Sequence, residues 1–395
     1  MVVVPEIDFN NTSEAFKHKS TAELKEAAFM FEMLNHPILG KPGKSLLKFA
    51  VNVGLPVKPV IKATLYKHFV GGETLEDCLP TVAKLERSNV KSILDYSEEG
   101  LQNEAGFEKA FQELLRNIKF SGEHDAIPFS VFKTTAIASE HILEKVSLGE
   151  TLTSAEEEEW KKVYYRFDKL CNTAFFSKVP LMVDAEDSWI QKAIDDLTLE
   201  MMEKYNKDKV YVLNTYQLYK KDSLNYLREN LQYAQENGFK IGAKLVRGAY
   251  MEKERRRANE KGYASPIQDT KEDTDRDYNE AVKLCMANLD KMMVIVATHN
   301  EESSKLAAGL IQNTVYRNDH PTLWFSQLLG MCDHISFTLS AQGYNVVKYV
   351  PYGPVKAVTP YLIRRAEENS SMEGQAKKEI SLIKTELAER RRRRK

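Results

Sequence analysis

The chain has 395 residues, 43% of them hydrophobic, enough to bury the cores of two average domains or of one large α/β barrel. Its 56 lysines and arginines are balanced by 57 aspartates and glutamates, so there is no global field and nucleic acid is excluded as the main partner. No uncharged stretch reaches the roughly 18 residues that would read as a membrane span, and Met1 to Asn11 lack the basic and apolar regions of a signal peptide.

In chain order, residues 12–67 read as helices (13–34, 44–53 and 57–68), punctuated by Pro37, Pro42 and Pro56. Gly71-Gly72-Glu73-Thr74 opens a further helix, with Leu75, Cys78, Leu79, Val82 and Leu85 at helical spacing. Short apolar runs then alternate with amphipathic segments, the pattern of parallel strands and crossover helices. The runs are 90–96, 127–134, 179–185, 209–217, 241–250, 292–300, 323–329 and 346–352. Eight runs predict a (β/α)8 barrel of TIM type, preceded by an N-terminal helical region. The predicted division is 1–70 helical, 71–375 barrel, and 376–395 a C-terminal helix with a basic tail. A doubly wound open sheet is the rival, but no GxGxxG follows any strand. Residues 136–178 are long for one crossover, and their Glu156–Glu159 run reads as a solvated helical face. Residues 251–277 read as a long charged loop covering the active site, and 330–344 as partly irregular.

Polar groups recur where these runs end. Lys133 closes the second, Asp184 the third, Gln217 the fourth, Tyr250 the fifth and His299 the sixth, and Tyr349 sits in the eighth. Each alone has an ordinary explanation, such as a snorkelling lysine or a helix-capping aspartate. Together they match the active-site end of a barrel. After the eighth run, Tyr361, Arg364, Arg365 and Glu368 share one side of a helix. Two guanidinium forks there suit a carboxylate, and a solvated turn ending in Asn369-Ser370-Ser371 is the alternative. His299 has no second His or Cys at ligand spacing, so no metal is expected. Cys78, Cys171, Cys285 and Cys332 are far apart and read as reduced thiols.

Three motifs in order carry a resemblance: Lys244-Leu245-Val246-Arg247-Gly248-Ala249-Tyr250, then Ala297-Thr298-His299-Asn300, then Tyr361-x-x-Arg364-Arg365-x-x-Glu368-Asn369. From about Phe69 to Asn369 the chain resembles the monofunctional, flavin-dependent proline dehydrogenase (proline oxidase) family. The resemblance implies a barrel binding FAD at its mouth and oxidising L-proline to Δ1-pyrroline-5-carboxylate, the first step of proline catabolism. It also implies a membrane quinone as electron acceptor and a separate pyrroline-5-carboxylate dehydrogenase. Lys133, Arg364 and Arg365 would hold the carboxylate, with Tyr250, Tyr349 and Tyr361 walling the ring. Asp184 would balance Lys133, and Lys244 would place a positive charge near the reactive flavin. Val183, Gln217, Arg247, Gly248, Ala249, Thr298, His299, Asn300 and Glu368 would line the cofactor. Many bacterial members carry arginine where this chain has Lys244, an arrangement resembling the eukaryotic-type members; lysine keeps the charge and loses the fork.

The reduced thiols read as those of a cytoplasmic protein, and the quinone acceptor that the resemblance implies would bring it into peripheral contact with the inner membrane face. The six cations from Arg390 to Lys395 read either as a frayed end or as that contact. Three readings stay open beside it: a hydroxyproline dehydrogenase of the same family, a barrel aldolase with Lys133 or Lys244 as Schiff-base lysine, and a helical interaction protein.

Overall fold

The structure, a computed structural model, describes residues 7–34, 65–97, 103–371 and 375–393. The expected helix 44–53 and most of 57–68 lie outside them. Eight parallel strands close a barrel in sequence order: β1 (Val90–Tyr96), β2 (Phe129–Lys133), β3 (Leu181–Asp184), β4 (Val212–Gln217), β5 (Ile241–Val246), β6 (Met292–Ala297), β7 (Leu323–Leu328) and β8 (Val346–Tyr352). Helices surround the strands, so the predicted fold class is the observed one. No described helix is long and apolar enough to cross a membrane. By internal contacts the chain divides into two compact units, Gly100–Ser326 and Glu6–Glu99 with Gln327–Lys395.

In the first unit, the strands are almost wholly buried, as helices on the outside and packed side chains on the inside require. The register pairs Lys133 with Asp184 across β2 and β3, and Thr215 with Lys244 across β4 and β5. β5 and β6 stop at Val246 and Ala297, short of the expected 250 and 300. Gly248, with φ +134°, breaks the extended path after β5, and Asn300 caps the helix Glu301–Gln312 by accepting from Ser303 N. Tyr250 and His299 therefore lie in loops beyond the strands rather than on them.

One expected loop is largely helical. Residues 251–277 hold the helix Met251–Lys261 and the start of Lys271–Met286. Acidic first-turn residues and a left-handed Gly262 at the C-cap mark the first of these. The Glu156–Glu159 run is only partly a solvated face. Glu156 closes a capping box with Thr153 and accepts from Lys145 at 2.8 Å, and Glu159 accepts from Ser139. Glu158 remains exposed.

In the second unit, β1 and β8 pair in parallel along their whole length, from Val90 with Val346 to Tyr96 with Tyr352. The expected helix 13–34 is two, Thr12–Ala15 and Thr21–Leu34. Ser20 explains the break: its hydroxyl accepts from Glu23 N, and Glu23 accepts from Ser20 N at 2.7 Å, a capping box that starts the second helix. Thr74 and Asp77 make the same device ahead of Leu75–Glu86, where the sequence predicts a start. The connection 330–344 is partly irregular, as expected, with turns on both sides of the helix Asp333–Ala341. Phe16, Phe31, Phe69, Val358, Leu362 and Ile383 share one apolar core, which holds the C-terminal helix Gln375–Arg393 in place.

Candidate active site

In the first unit, two strand ends and a lysine within β5 bring a carboxylate between two ammonium groups. Asp184, the last residue of β3, accepts from Lys244 Nζ at 2.6 Å through Oδ1. Its Oδ2 lies 3.7 Å from Lys133 Nζ. Lys133 ends β2 and Lys244 lies on β5, so one carboxylate links side chains from both sides of its own strand. The side chains of Asp184 and Lys244 are 12% and 9% exposed, which makes this a largely desolvated pair, whereas Lys133 keeps 18% of its side-chain surface open. Val183 precedes Asp184 and is fully buried. Asp184 does not cap the following helix.

Gln217 ends β4, buried, and its Nε2 donates to the main-chain carbonyl of Glu186 at 2.7 Å. After β5, the Arg247 guanidinium donates to Asp275 Oδ1 (2.7 Å), Thr298 Oγ1 (2.6 Å) and Ser303 Oγ (3.0 Å). It also packs over the ring of Tyr278, 4.3 Å from the centroid. Arg247 thus joins the β5 end to Thr298 after β6. Gly248 and Ala249 are exposed and Tyr250 is half-buried. A Cβ on Gly248 would meet the Tyr219 ring at 2.5 Å, so both its conformation and its space require glycine. His299 and Asn300 are half-buried beyond β6. Among the described residues no cluster of His, Cys, Asp or Glu is placed to hold a metal.

Two carboxylates of this region carry no sequence motif. Glu186 is buried and accepts from Thr135 N at 2.9 Å and from Thr135 Oγ1. Burial pushes its carboxyl up to about 7, against the Thr135 hydrogen bonds and the charge of Lys133. Glu254, on the helix after Tyr250, is fully buried and accepts from Ser188 N (2.7 Å) and Ser188 Oγ (2.6 Å). It ties the chain beyond β5 to the chain beyond β3. The only signal for Glu186 was its place in the run Asp184-Ala185-Glu186-Asp187, and none marked Glu254.

In the second unit, β8 leads into the helix Val355–Ser371 through Gly353, whose φ of +141° a side chain would strain. The Gly353 N–H donates to Gly72 O at 3.1 Å, and its carbonyl accepts from Tyr66 OH at 2.9 Å, which fixes the helix entry. Tyr349, Tyr361 and Arg365 are buried and Arg364 is half-buried. The Arg365 guanidinium lies 5.0 Å from the Tyr361 ring centroid, so these two predicted residues meet. Glu368 is on the same helix, and its side chain lies outside the described residues. A solvated basic turn does not describe Arg365.

Comparison with known proteins places the chain in a family. Residues 78–378 match the family described as proline dehydrogenase. The carbapenem antibiotics biosynthesis protein CarD of Pectobacterium carotovorum subsp. carotovorum is 39% identical over 323 residues, 82% of this chain and 83% of that protein. Mitochondrial proline dehydrogenase 1 of Dictyostelium discoideum is 31% identical over 96% of this chain and 74% of its own length. Hydroxyproline dehydrogenase of Xenopus laevis is 32% identical over 95% of this chain and 88% of its own. The crystal structure of proline utilization A from Bdellovibrio bacteriovorus superposes with a TM-score of 0.72 at 20% identity, covering 92% of this chain and 38% of that one. The chain belongs to the proline dehydrogenase family of oxidoreductases.

Proposed function

We propose that the chain oxidises L-proline to Δ1-pyrroline-5-carboxylate with FAD as its cofactor, the catalytic part lying within residues 71–375. The observation that carries this reading is Asp184 held between Lys133 and Lys244, a cation pair with a built-in counter-charge at the strand ends.

The residues present suit such a cofactor. Gly248 and Ala249 leave exposed main chain after β5, Gln217 and Thr298 offer an amide and a hydroxyl, and Arg247 offers a cation. Thr215, two residues before Gln217, is buried, and its hydroxyl has no hydrogen-bond partner among the described residues. That set matches a ligand with a pyrophosphate and a polar ring edge. Val183, His299, Asn300 and Glu368 complete the proposed cofactor contacts. When bound, FAD supplies the acceptor for the hydride leaving C5 of proline.

The chain's own part is to bind, orient and exclude water. In the first unit Lys133 is the cation offered to the substrate carboxylate and Tyr250 the aromatic offered to the ring carbons; in the second, Arg364 and Arg365 are the carboxylate's cations and Tyr349 and Tyr361 the ring's aromatics. The amine must be uncharged, so that its lone pair forms the C5=N bond as hydride departs from C5 and the nitrogen then gives up its proton. Asp184 fixes both lysines in the geometry this needs, and Lys244 contributes positive charge where negative charge accumulates. Electrons pass on to a membrane quinone, and a separate pyrroline-5-carboxylate dehydrogenase consumes the product. The chain is then cytoplasmic and visits the inner membrane face peripherally.

The similarity to a hydroxyproline dehydrogenase over 95% of the chain supports a second reading, in which 4-hydroxyproline is the substrate. Buried Tyr349 favours proline, because its hydroxyl would crowd a 4-hydroxyl group. Initial rates with both substrates decide between them. Proline should give at least tenfold higher kcat/KM, and Tyr349→Ser should narrow the gap; equal values in the wild type contradict the proline reading.

A further inference from the structure

Glu186 stands two residues beyond Asp184, and neither its sequence neighbours nor the family motifs assign it a task. Its side chain and its main chain point to different strands. The carboxylate takes both donors of Thr135, the main-chain N–H at 2.9 Å and the hydroxyl, and Thr135 is two residues beyond Lys133. The main-chain carbonyl takes Gln217 Nε2 at 2.7 Å, from the end of β4. The Glu186 N–H is itself held, donating to Gln191 Oε1 at 2.7 Å on the helix Ser188–Tyr205.

A carboxylate as buried as this one is costly unless its acceptors meet donors. Here two acceptor oxygens meet two donors of a single residue, which fixes the main chain just past Lys133 more firmly than one bond could. Burial still pushes the carboxyl up to about 7, so the fold tolerates an expense that an apolar residue would avoid. Such retained strain in the polar network lies at the strand ends, where geometry matters most.

We propose that Glu186 is a positioning residue: through Thr135 it sets the place of Lys133, and through its carbonyl it sets the amide of Gln217. The substrate cation of β2 and the cofactor amide of β4 are thereby held in one frame with Asp184 of β3. This rests on the proline-oxidising reading for the role of Lys133, and on the cofactor reading for the role of Gln217.

The test compares Glu186→Ala, Glu186→Gln and Thr135→Val with the wild type. The readouts are KM and kcat for L-proline and, independently of turnover, the FAD dissociation constant from flavin-fluorescence titration of the flavin-free protein. Glu186→Ala should raise KM about tenfold or more and weaken FAD severalfold, with a smaller change in kcat. Glu186→Gln, which keeps one acceptor, should recover most of both. Thr135→Val, which removes only the hydroxyl, should raise KM by a smaller factor, and combining it with Glu186→Gln should cost less than the product of the two. If Glu186→Ala fails to fold, the Thr135→Val and Glu186→Gln cycle decides alone, and independent, multiplicative effects overturn the proposal. Wild-type KM and FAD affinity in a folded Glu186→Ala protein also overturn it. A wild type that binds FAD and leaves proline untouched overturns the substrate reading instead, while the FAD constants still decide the positioning claim.

Discussion

Lys348 and Asp333 form an ion pair in the second unit, 2.9 Å apart, with the lysine side chain fully buried and the aspartate 5% exposed. Lys348 also donates to Met331 O at 2.6 Å, and Asp333 accepts from Lys19 at 2.6 Å. Burial pushes the Asp333 carboxyl up, but Lys19 and Lys348 hold it well below the usual carboxylate range. The cluster anchors the strand that carries Tyr349 to the helix Asp333–Ala341 and to the chain just before Thr21–Leu34.

Removing one partner of such a cluster strands a buried charge. Lys348→Met should destabilise the protein by about 3–5 kcal/mol, seen as a lower denaturation midpoint. Adding Asp333→Asn should recover part of the loss. Unchanged midpoints would mean the pair is not buried as described.

Glu186 makes stability depend on pH with a definite sign. Its folded pKa, about 7, lies above the ordinary 4.5, so the folded state binds the proton more tightly than the unfolded chain does. The contribution is full below about 4.5 and is lost as pH rises through 7. It should amount to something on the order of 3 kcal/mol, with Lys133 and Asp187 the nearest charged influences on the group. The stability difference between wild type and Glu186→Gln should therefore shift against the wild type between pH 5 and 8. A difference that is flat across that range contradicts the assignment.

Arg364 and Arg365 should act on substrate binding. Replacing either with Met should weaken proline binding by roughly 2–4 kcal/mol, mostly as raised KM. Arg365→Lys should rescue poorly, because the planar guanidinium lies over the Tyr361 ring. Wild-type KM in both Met variants would remove them from the site.

The basic tail is smaller than its sequence suggests. The helix runs on to Arg393, and Arg390 donates to Lys19 O (2.8 Å), Phe16 O (2.9 Å) and Glu386 Oε1 (2.7 Å). Arg390 is therefore part of the fold, while Arg391 and Arg392 are exposed, and Arg394 and Lys395 lie outside the described residues. The double variant Arg391→Gln/Arg392→Gln should bind anionic vesicles about 2 kcal/mol, roughly thirtyfold, more weakly at low salt, with unchanged melting. Equal binding by both proteins reduces the tail to a helix end. Arg390→Gln should lower the melting temperature.

The strand runs were legible because barrel strands buried on both faces are rich in apolar residues, and β1 and β8 begin and end where the sequence places them. The ends of β5 and β6 were not, because the expected runs carry on to 250 and 300, past the points where Gly248 turns the chain and Thr298 leads into the Asn300 helix cap. Asp184 and Lys133 were legible as polar residues at strand ends and Lys244 through the motif it opens, and the structure brings the three together. Glu186, Glu254 and Lys348 were hidden for one reason. Each is an ordinary charged residue whose partner is 15 positions away for Lys348, 51 for Glu186 and 66 for Glu254, so only the fold assigns it a role. Arg390 was hidden differently, as one member of a run in which Arg391, Arg392 and Arg393 are exposed.

The account's central claim is hydride transfer from proline to a flavin held by this chain, and one spectrum tests it most directly. The purified protein should show the visible absorption of bound oxidised flavin, and anaerobic addition of L-proline should bleach it, while D-proline and buffer leave it unchanged. A protein that carries flavin whose spectrum L-proline does not alter, or one that cannot be loaded with FAD at all, contradicts the claim.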